Sequence, residues 1–190
     1  SSDPTRGVRD FDAMVVADPS MAAVVACAEN VASSNAIVLV TGESGVGKEV
    51  VAAHLHRSSA RGAQPFVLFH CEAGADAFPS DGPFGGGCFE AANGGTLLLD
   101  EVGGMDLRMQ AKLLGALQDR EAGRSVGVPF NVRIVATTNR DLQREIQLGR
   151  FRVDLYFRLN VVSIRVPPLR QRPLDVAALA TSFARKYAAA

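Results

Sequence analysis

The stretch Gly42-Glu43-Ser44-Gly45-Val46-Gly47-Lys48-Glu49 lies between a short apolar run and a helical pattern, and it has the spacing G-x-x-x-x-G-K. That spacing lets the glycines take the tight backbone conformations that aim successive N–H groups at phosphate oxygens, while Lys48 adds a mobile positive charge for the outer phosphates. The flanks make the match specific. The run 36–41 before it (AIVLVT) reads as a buried strand, and Val50 to Arg57 after it reads as a helix whose positive dipole end faces the anion. Glu49 is irregular, because a Ser or Thr usually stands there and touches magnesium. Either the metal is held from elsewhere, or the loop belongs to a particular branch of phosphate-loop proteins.

Outward from this cradle, strands alternate with helices. Toward the N-terminus, Asp18-Pro19 predicts a helix start, with Asp18 as N-cap and Pro19 in the first turn, and the helix ends before Ser33. Toward the C-terminus, further strands are predicted at Pro65 to Cys71, Thr96 to Leu99, Asn131 to Thr137 and Val161 to Val166. Helices are expected from about 106 to 118, with a core face of Leu107, Ala111, Leu114 and Leu117 beside Leu113, and then over Leu142 to Leu148 and Val153 to Leu159. Asp175 is expected to cap a last helix. Such alternation predicts an α/β domain, a parallel sheet with helices on both faces.

Composition adds exclusions. With 190 residues, 47% of them hydrophobic, the chain can bury one good core, and 20 basic against 20 acidic residues predict no nucleic-acid surface by charge. Cys27, Cys71 and Cys88 have no metal-ligand spacing and read as reduced thiols. No apolar run approaches the roughly 20 residues that span a bilayer, and SSDPTRGVRD does not read as a signal peptide, so a cytoplasmic location is expected. The end, Lys186 to Ala190, stops inside a helical pattern, as a cut chain would.

A phosphate loop needs an acidic partner site for magnesium and water. Gly94-Gly95-Thr96-Leu97-Leu98-Leu99-Asp100-Glu101 supplies one, a Walker B pattern in which a buried strand drives into two carboxylates. Asp100 is placed to hold Mg²⁺ through its water shell, and Glu101 to polarise the attacking water. Thr138-Asn139, at the end of a neighbouring strand, can reach the γ-phosphate or the water. His54 and His56 read as solvent-facing or packing residues.

GESGVGKE, GGTLLLDEV, NVRIVATTNRDL and GRFRVDLYFRLNVVSIRVPPLRQR, in this order, resemble the central AAA+ ATPase domain of the bacterial enhancer-binding proteins that activate sigma-54 RNA polymerase. That family shows G-K-E where most phosphate loops have G-K-S or G-K-T. The resemblance implies a P-loop AAA+ core over 15–169, after an extended lead-in at 1–14 and before the start of a helical lid at 170–190. It implies ATP and Mg²⁺ as ligands and a ring, usually a hexamer, with ATP between subunits. It also implies finger roles for Arg152 and Arg158 toward the neighbour's nucleotide, an adenine wall at Val15 and Val16, and a helix-turn-helix DNA-binding domain elsewhere in the protein.

Two departures stand out. The family's sigma-54 contact is a GAFTGA motif on a long loop; here Gly82-Pro83-Phe84-Gly85-Gly86-Gly87 keeps the first Gly, the Phe and the second Gly, but Gly85 replaces the Thr. Residues 72–88 are also too few for the helical hairpin that raises the tip, so ordinary sigma-54 contact is not expected. His70 falls where the family has an Asn that bonds the catalytic Glu, making it a candidate glutamate switch beside Glu101. Two functional readings follow: an ATP-hydrolysing, self-assembling module of a sigma-54-activator-like regulator, or a nucleotide-dependent oligomerisation module that controls transcription without remodelling sigma-54. A third, an AAA+ branch such as a protein unfoldase, is opposed by the GRFRVDLYFRLN block.

Overall fold

The computed structural model describes residues 14–71, 87–121 and 131–188. The lead-in at 1–13, the GPFGGG residues Gly82, Phe84, Gly85 and Gly86, and the turn-rich stretch 122–130 therefore lie outside the described residues. Five strands form one parallel sheet: β1 Val38–Thr41, β2 Phe66–His70, β3 Thr96–Asp100, β4 Arg133–Thr138 and β5 Val162–Arg165. Their spatial order is β2-β3-β4-β1-β5. All five C-terminal ends consequently share one edge, and β4 stands between the strand that precedes the cradle and the strand that carries the carboxylates.

Among the described residues the α-helices are α1 Pro19–Ala32, α2 Lys48–Arg57, α3 Cys88–Ala91, α4 Leu107–Glu121, α5 Leu142–Gln147, α6 Val153–Leu159 and α7 Pro173–Ala188. The sheet is apolar on both faces because both are covered. Leu97, Leu99, Ile134 and Ala136 pack with Met109 and Leu113 of α4 and Leu155 of α6. Leu98, Val38, Val40 and Val135 face the other way, into Val24 and Ala28 of α1 and Val51 and Leu55 of α2. The alternation of Leu97, Leu98 and Leu99 between two cores is the period-two geometry of a strand read directly from three identical side chains. Among the described residues no helix is long and apolar enough to cross a membrane.

Local signals set the helix ends. The Asp18 carboxylate accepts the Ser20 N–H at 3.0 Å and Pro19 opens α1, as its cap sequence predicts. Two expectations are corrected. Leu107 and Ala111 of α4 are exposed, and the buried face is Met109, Leu113, Leu114 and Leu117, with Gln110 also fully buried. The helix is rotated because Gln110 is bonded to the turn before α6: its amide donates to the Arg150 carbonyl at 2.9 Å and accepts the Arg152 N–H at 2.8 Å. Asp175 does not cap α7 from outside. It sits within the first turn, fully buried, and accepts the N–H groups of Ala17 and Asp18.

His56, on α2, is buried against Phe66 with its Nδ1 2.9 Å from the Thr96 hydroxyl. Burial pushes its pKa below the ordinary 6.5. As pH falls through that value the unfolded chain takes up a proton that the folded chain does not, so stability is lost on the acid side. Thermal unfolding followed by circular dichroism from about pH 7.5 to about pH 5.5 is expected to show a falling midpoint, and the fall to be smaller in His56→Gln.

Candidate nucleotide site

The cradle leaves β1 through three glycines with positive φ: Gly42 at 156°, Gly45 at 76° and Gly47 at 95°. A Cβ on Gly42 would lie 2.8 Å from the Val166 carbonyl oxygen, so the loop starts pressed against the end of β5. A Cβ on Gly45 would meet nothing within 4 Å, which is the open side of the cradle. Gly47 supplies the left-handed turn from which α2 starts, and Lys48 is the first residue of that helix. Ser44 is exposed and Val46 is buried under the loop. Lys48 is 5% exposed, and its ammonium donates to the carbonyls of Gly42 and Glu43, each at 3.2 Å. Its third partner is the Glu101 carboxylate, 2.8 Å away.

Asp100 ends β3 and Glu101 follows it. Among the described residues Glu101 is the non-glycine with positive φ, at 55°. This conformation costs a side-chain-bearing residue about 1–2 kcal/mol, so it persists only where neighbours hold it. They do so on both sides. The Glu101 N–H donates to the Thr137 hydroxyl at 3.0 Å, and the far carboxylate oxygen accepts the Asn139 N–H at 2.8 Å. The Thr137 hydroxyl in turn donates to an Asp100 carboxylate oxygen at 2.6 Å. The left-handed turn thus aims Glu101 back over the cradle while Asp100 stays on the strand line.

His70 does not stand against Glu101. Pairing of β2 with β3 places His70 directly opposite Asp100, and its Nδ1 lies 3.0 Å from the second Asp100 oxygen. Glu101 has already turned away at that point, which is why the expectation of a glutamate switch at His70 is corrected to an Asp100 contact.

Thr137 is the residue that sequence reasoning passed over in favour of Thr138-Asn139. Its signal was available: a strand buried along its whole length, ending in two threonines, must find partners for both hydroxyls. Thr138 is buried too, and its carbonyl accepts the Gly42 N–H at 3.3 Å, tying β4 to the cradle. A cavity of about 390 Å³ opens here, lined among others by Gly42, Glu43, Asn139, Tyr156 and Arg165. It lies at the C-terminal ends of β1, β4 and β5, the edge at which parallel sheets hold ligands.

The remaining predicted residues are spread around this centre. Val15 is half-buried and Val16 exposed, just before α1. Glu43 faces outward, and the Arg170 guanidinium grips it bidentately at 2.6 and 2.7 Å, holding its carboxyl below the ordinary value. Glu49 lies half-buried in the first turn of α2. Arg152 caps α6 and its guanidinium is turned to Asp154, at 2.8 and 3.1 Å, not to its own cradle. Arg158 is in the last turn of the same helix. Among the described residues no cluster of three or more His, Cys, Asp or Glu could cage a metal.

A glycine loop with its lysine after β1, paired carboxylates after β3 and this parallel strand order define a P-loop NTPase of the AAA+ class. The profile of the family described as Sigma-54 interaction domain matches residues 14–165, and the chain belongs to that family. It is 49% identical to the transcriptional regulatory protein FlbD of Caulobacter vibrioides over 197 aligned positions, covering 95% of this chain and 43% of FlbD. That alignment is longer than the chain itself, so FlbD carries residues this chain lacks. Among solved structures, NtrX from Brucella abortus in complex with ATP is 34% identical, with a TM-score of 0.82 over 93% of this chain and 41% of NtrX. The P-loop NTPase domain of the sigma-54 transport activator from E. coli, at 19% identity, shares the fold, with a TM-score of 0.58 over 78% of this chain and 95% of that one. The chain spans about half the length of the curated relatives it matches.

Thr137→Val would leave the Glu101 N–H and one Asp100 oxygen without their buried partner. A loss of about 1–3 kcal/mol in urea unfolding is expected, with Thr137→Ser close to wild type.

Proposed function

We propose that this chain binds ATP with Mg²⁺, hydrolyses it, and assembles with copies of itself so that each nucleotide lies between subunits, as a module of a sigma-54-activator-like transcription regulator. The observation that carries the reading is the meeting of Lys48 and Glu101 at 2.8 Å over the cradle, with Asn139 on the same carboxylate. The solved relative NtrX, described with ATP and with ADP, supports it.

The chemistry follows from the contacts. Phosphate entering the cradle offers Lys48 an anion in place of Glu101. Glu101, released from the ammonium but kept in aim by the Asn139 N–H, then accepts a proton from water attacking the outer phosphoryl. Mg²⁺ held by Asp100 through water would neutralise charge on the phosphates. Arg152 and Arg158 serve the neighbour's site: a guanidinium at the transferring phosphoryl contributes roughly 10³ to 10⁵ in rate. In the single chain Arg152 is occupied by Asp154, an exposed partner that a phosphate can replace. Val15 and Val16 form the wall beside the base, and 170–190 begins a helical lid, whose α7 still exposes Leu174, Phe183 and Tyr187. DNA contact belongs to a helix-turn-helix domain outside this chain.

Glu101→Gln is expected to keep ATP affinity and lose roughly 10² to 10⁴ in turnover. Unchanged hydrolysis would remove Glu101 from the role of base. In the full-length protein, ATPase activity per mole should rise with protein concentration and Arg158→Ala should abolish the rise; activity independent of concentration would rule out shared sites.

One observation favours a second reading of the output. The 17 residues 72–88 are too few for the helical hairpin that the resemblance leads one to expect, and GPFGGG lacks the Thr of GAFTGA. Nucleotide-dependent assembly would then control transcription without remodelling sigma-54 polymerase. Open-complex assays with sigma-54 polymerase and with the vegetative enzyme separate the two, and robust sigma-54 open complexes would refute the second.

A further inference from the structure

Two buried charges stand behind the cradle at the base of α7. Arg172 is 6% exposed and Asp175 not at all, and they face each other at 3.4 Å. The guanidinium of Arg172 also donates to the Val46 carbonyl at 2.6 Å, inside the cradle. Asp175 accepts the Ala17 N–H at 2.7 Å and the Asp18 N–H at 2.8 Å, 157 positions away in sequence for the latter. Asp18 reciprocates with its second oxygen, which accepts the Leu174 N–H at 3.4 Å. One ion pair therefore fixes the phosphate loop, the segment that runs from Val15 into α1, and the start of α7 to one another. A buried ion pair adds little net stability over well-packed apolar side chains, so fold stability alone does not account for it. What apolar residues could not do is hold a cradle carbonyl and two N–H groups of the 15–18 segment at once.

We propose that Arg172 and Asp175 are positioning residues that set the distance between the two halves of the nucleotide site. Arg172 places the phosphate cradle; Asp175 places the Val15–Asp18 segment, and through it determines how strongly the base contributes to binding. This rests on the reading of Val15 and Val16 as the base wall.

The test compares affinities for Mg-ATP and for magnesium tripolyphosphate, which has the phosphates without the base, by titration calorimetry on the full chain. Asp175→Ala is expected to weaken ATP about tenfold and tripolyphosphate less than about threefold, while Asp175→Asn, which keeps an oxygen for the two N–H groups, restores most of the wild-type ratio. Arg172→Met is expected to weaken both ligands together. Should Asp175→Ala fail to fold, Ala17→Pro removes one donated N–H without touching the ion pair and should lower the ATP-to-tripolyphosphate preference in the same direction. A wild-type ratio in folded Asp175→Ala or in Ala17→Pro, or wild-type affinities in Arg172→Met, overturns the proposal alone. A wild-type chain that binds both ligands equally overturns the base wall, and the proposal with it.

Discussion

Lys48 and Glu101 meet across a gap that β4 fills, and the rest of the site depends on that spacing. Parallel neighbours lie about 4.8 Å apart, so β1 and β3 are held about 10 Å from each other by the strand between them. Only long side chains close such a distance. Lysine from the first turn of α2 and glutamate from the residue after β3 do so. The strand between is no passive spacer, because its end supplies Thr137 to Asp100 and Glu101, a Thr138 carbonyl to Gly42, and the Asn139 N–H to Glu101. Three adjacent strand ends thus make one hydrogen-bonded unit, and moving any of them by one residue of register would undo it.

The electrostatics favour exchange of partners over loss of them. Lys48 is 5% exposed and Glu101 is partly shielded, so leaving either charge without a counter-ion costs about 3–5 kcal/mol. The pair as a whole contributes far less, since the attraction mostly offsets the water removed from both ions. Replacing the carboxylate with a phosphate as the partner of Lys48 is therefore cheap, whereas removing the carboxylate with nothing in its place is not. In this structure Glu101 accepts the Asn139 N–H as well as facing Lys48, and its left-handed φ turns it over the cradle.

The sequence made legible whatever is local or strictly periodic. The cradle, the apolar strands and the Asp18-Pro19 start are encoded by adjacent residues, and each is found where its chemistry puts it. Contacts that depend on register were not legible. His70 lies beside Asp100 because of how β2 pairs with β3, which no property of residues 66–70 fixes. The rotation of α4 was hidden for a similar reason: Leu107 and Ala111 fit the apolar stripe, but Gln110, polar and so excluded from it, bonds the turn before α6 and takes the inner position. Asp175 resembled a cap because an Asp just ahead of an apolar helical run is a favoured N-cap; beyond Arg172, three residues away, its partners Ala17 and Asp18 come from the other end of the chain.

The cradle is held from the side of α7 by two arginines whose surroundings give them different tasks. Arg170 grips Glu43 in the open, with both side chains more than half exposed, so water and salt compete with the pair and it can break when a ligand approaches. Arg172 holds Val46 from a site closed to solvent, where a lost hydrogen bond is not replaced by water. The outer lip of the loop can therefore yield at Glu43 while its floor at Val46 stays in place. Since both arginines belong to the segment that leads into α7, any displacement of that helix acts first on the exposed grip and only afterwards, at much greater cost, on the buried one.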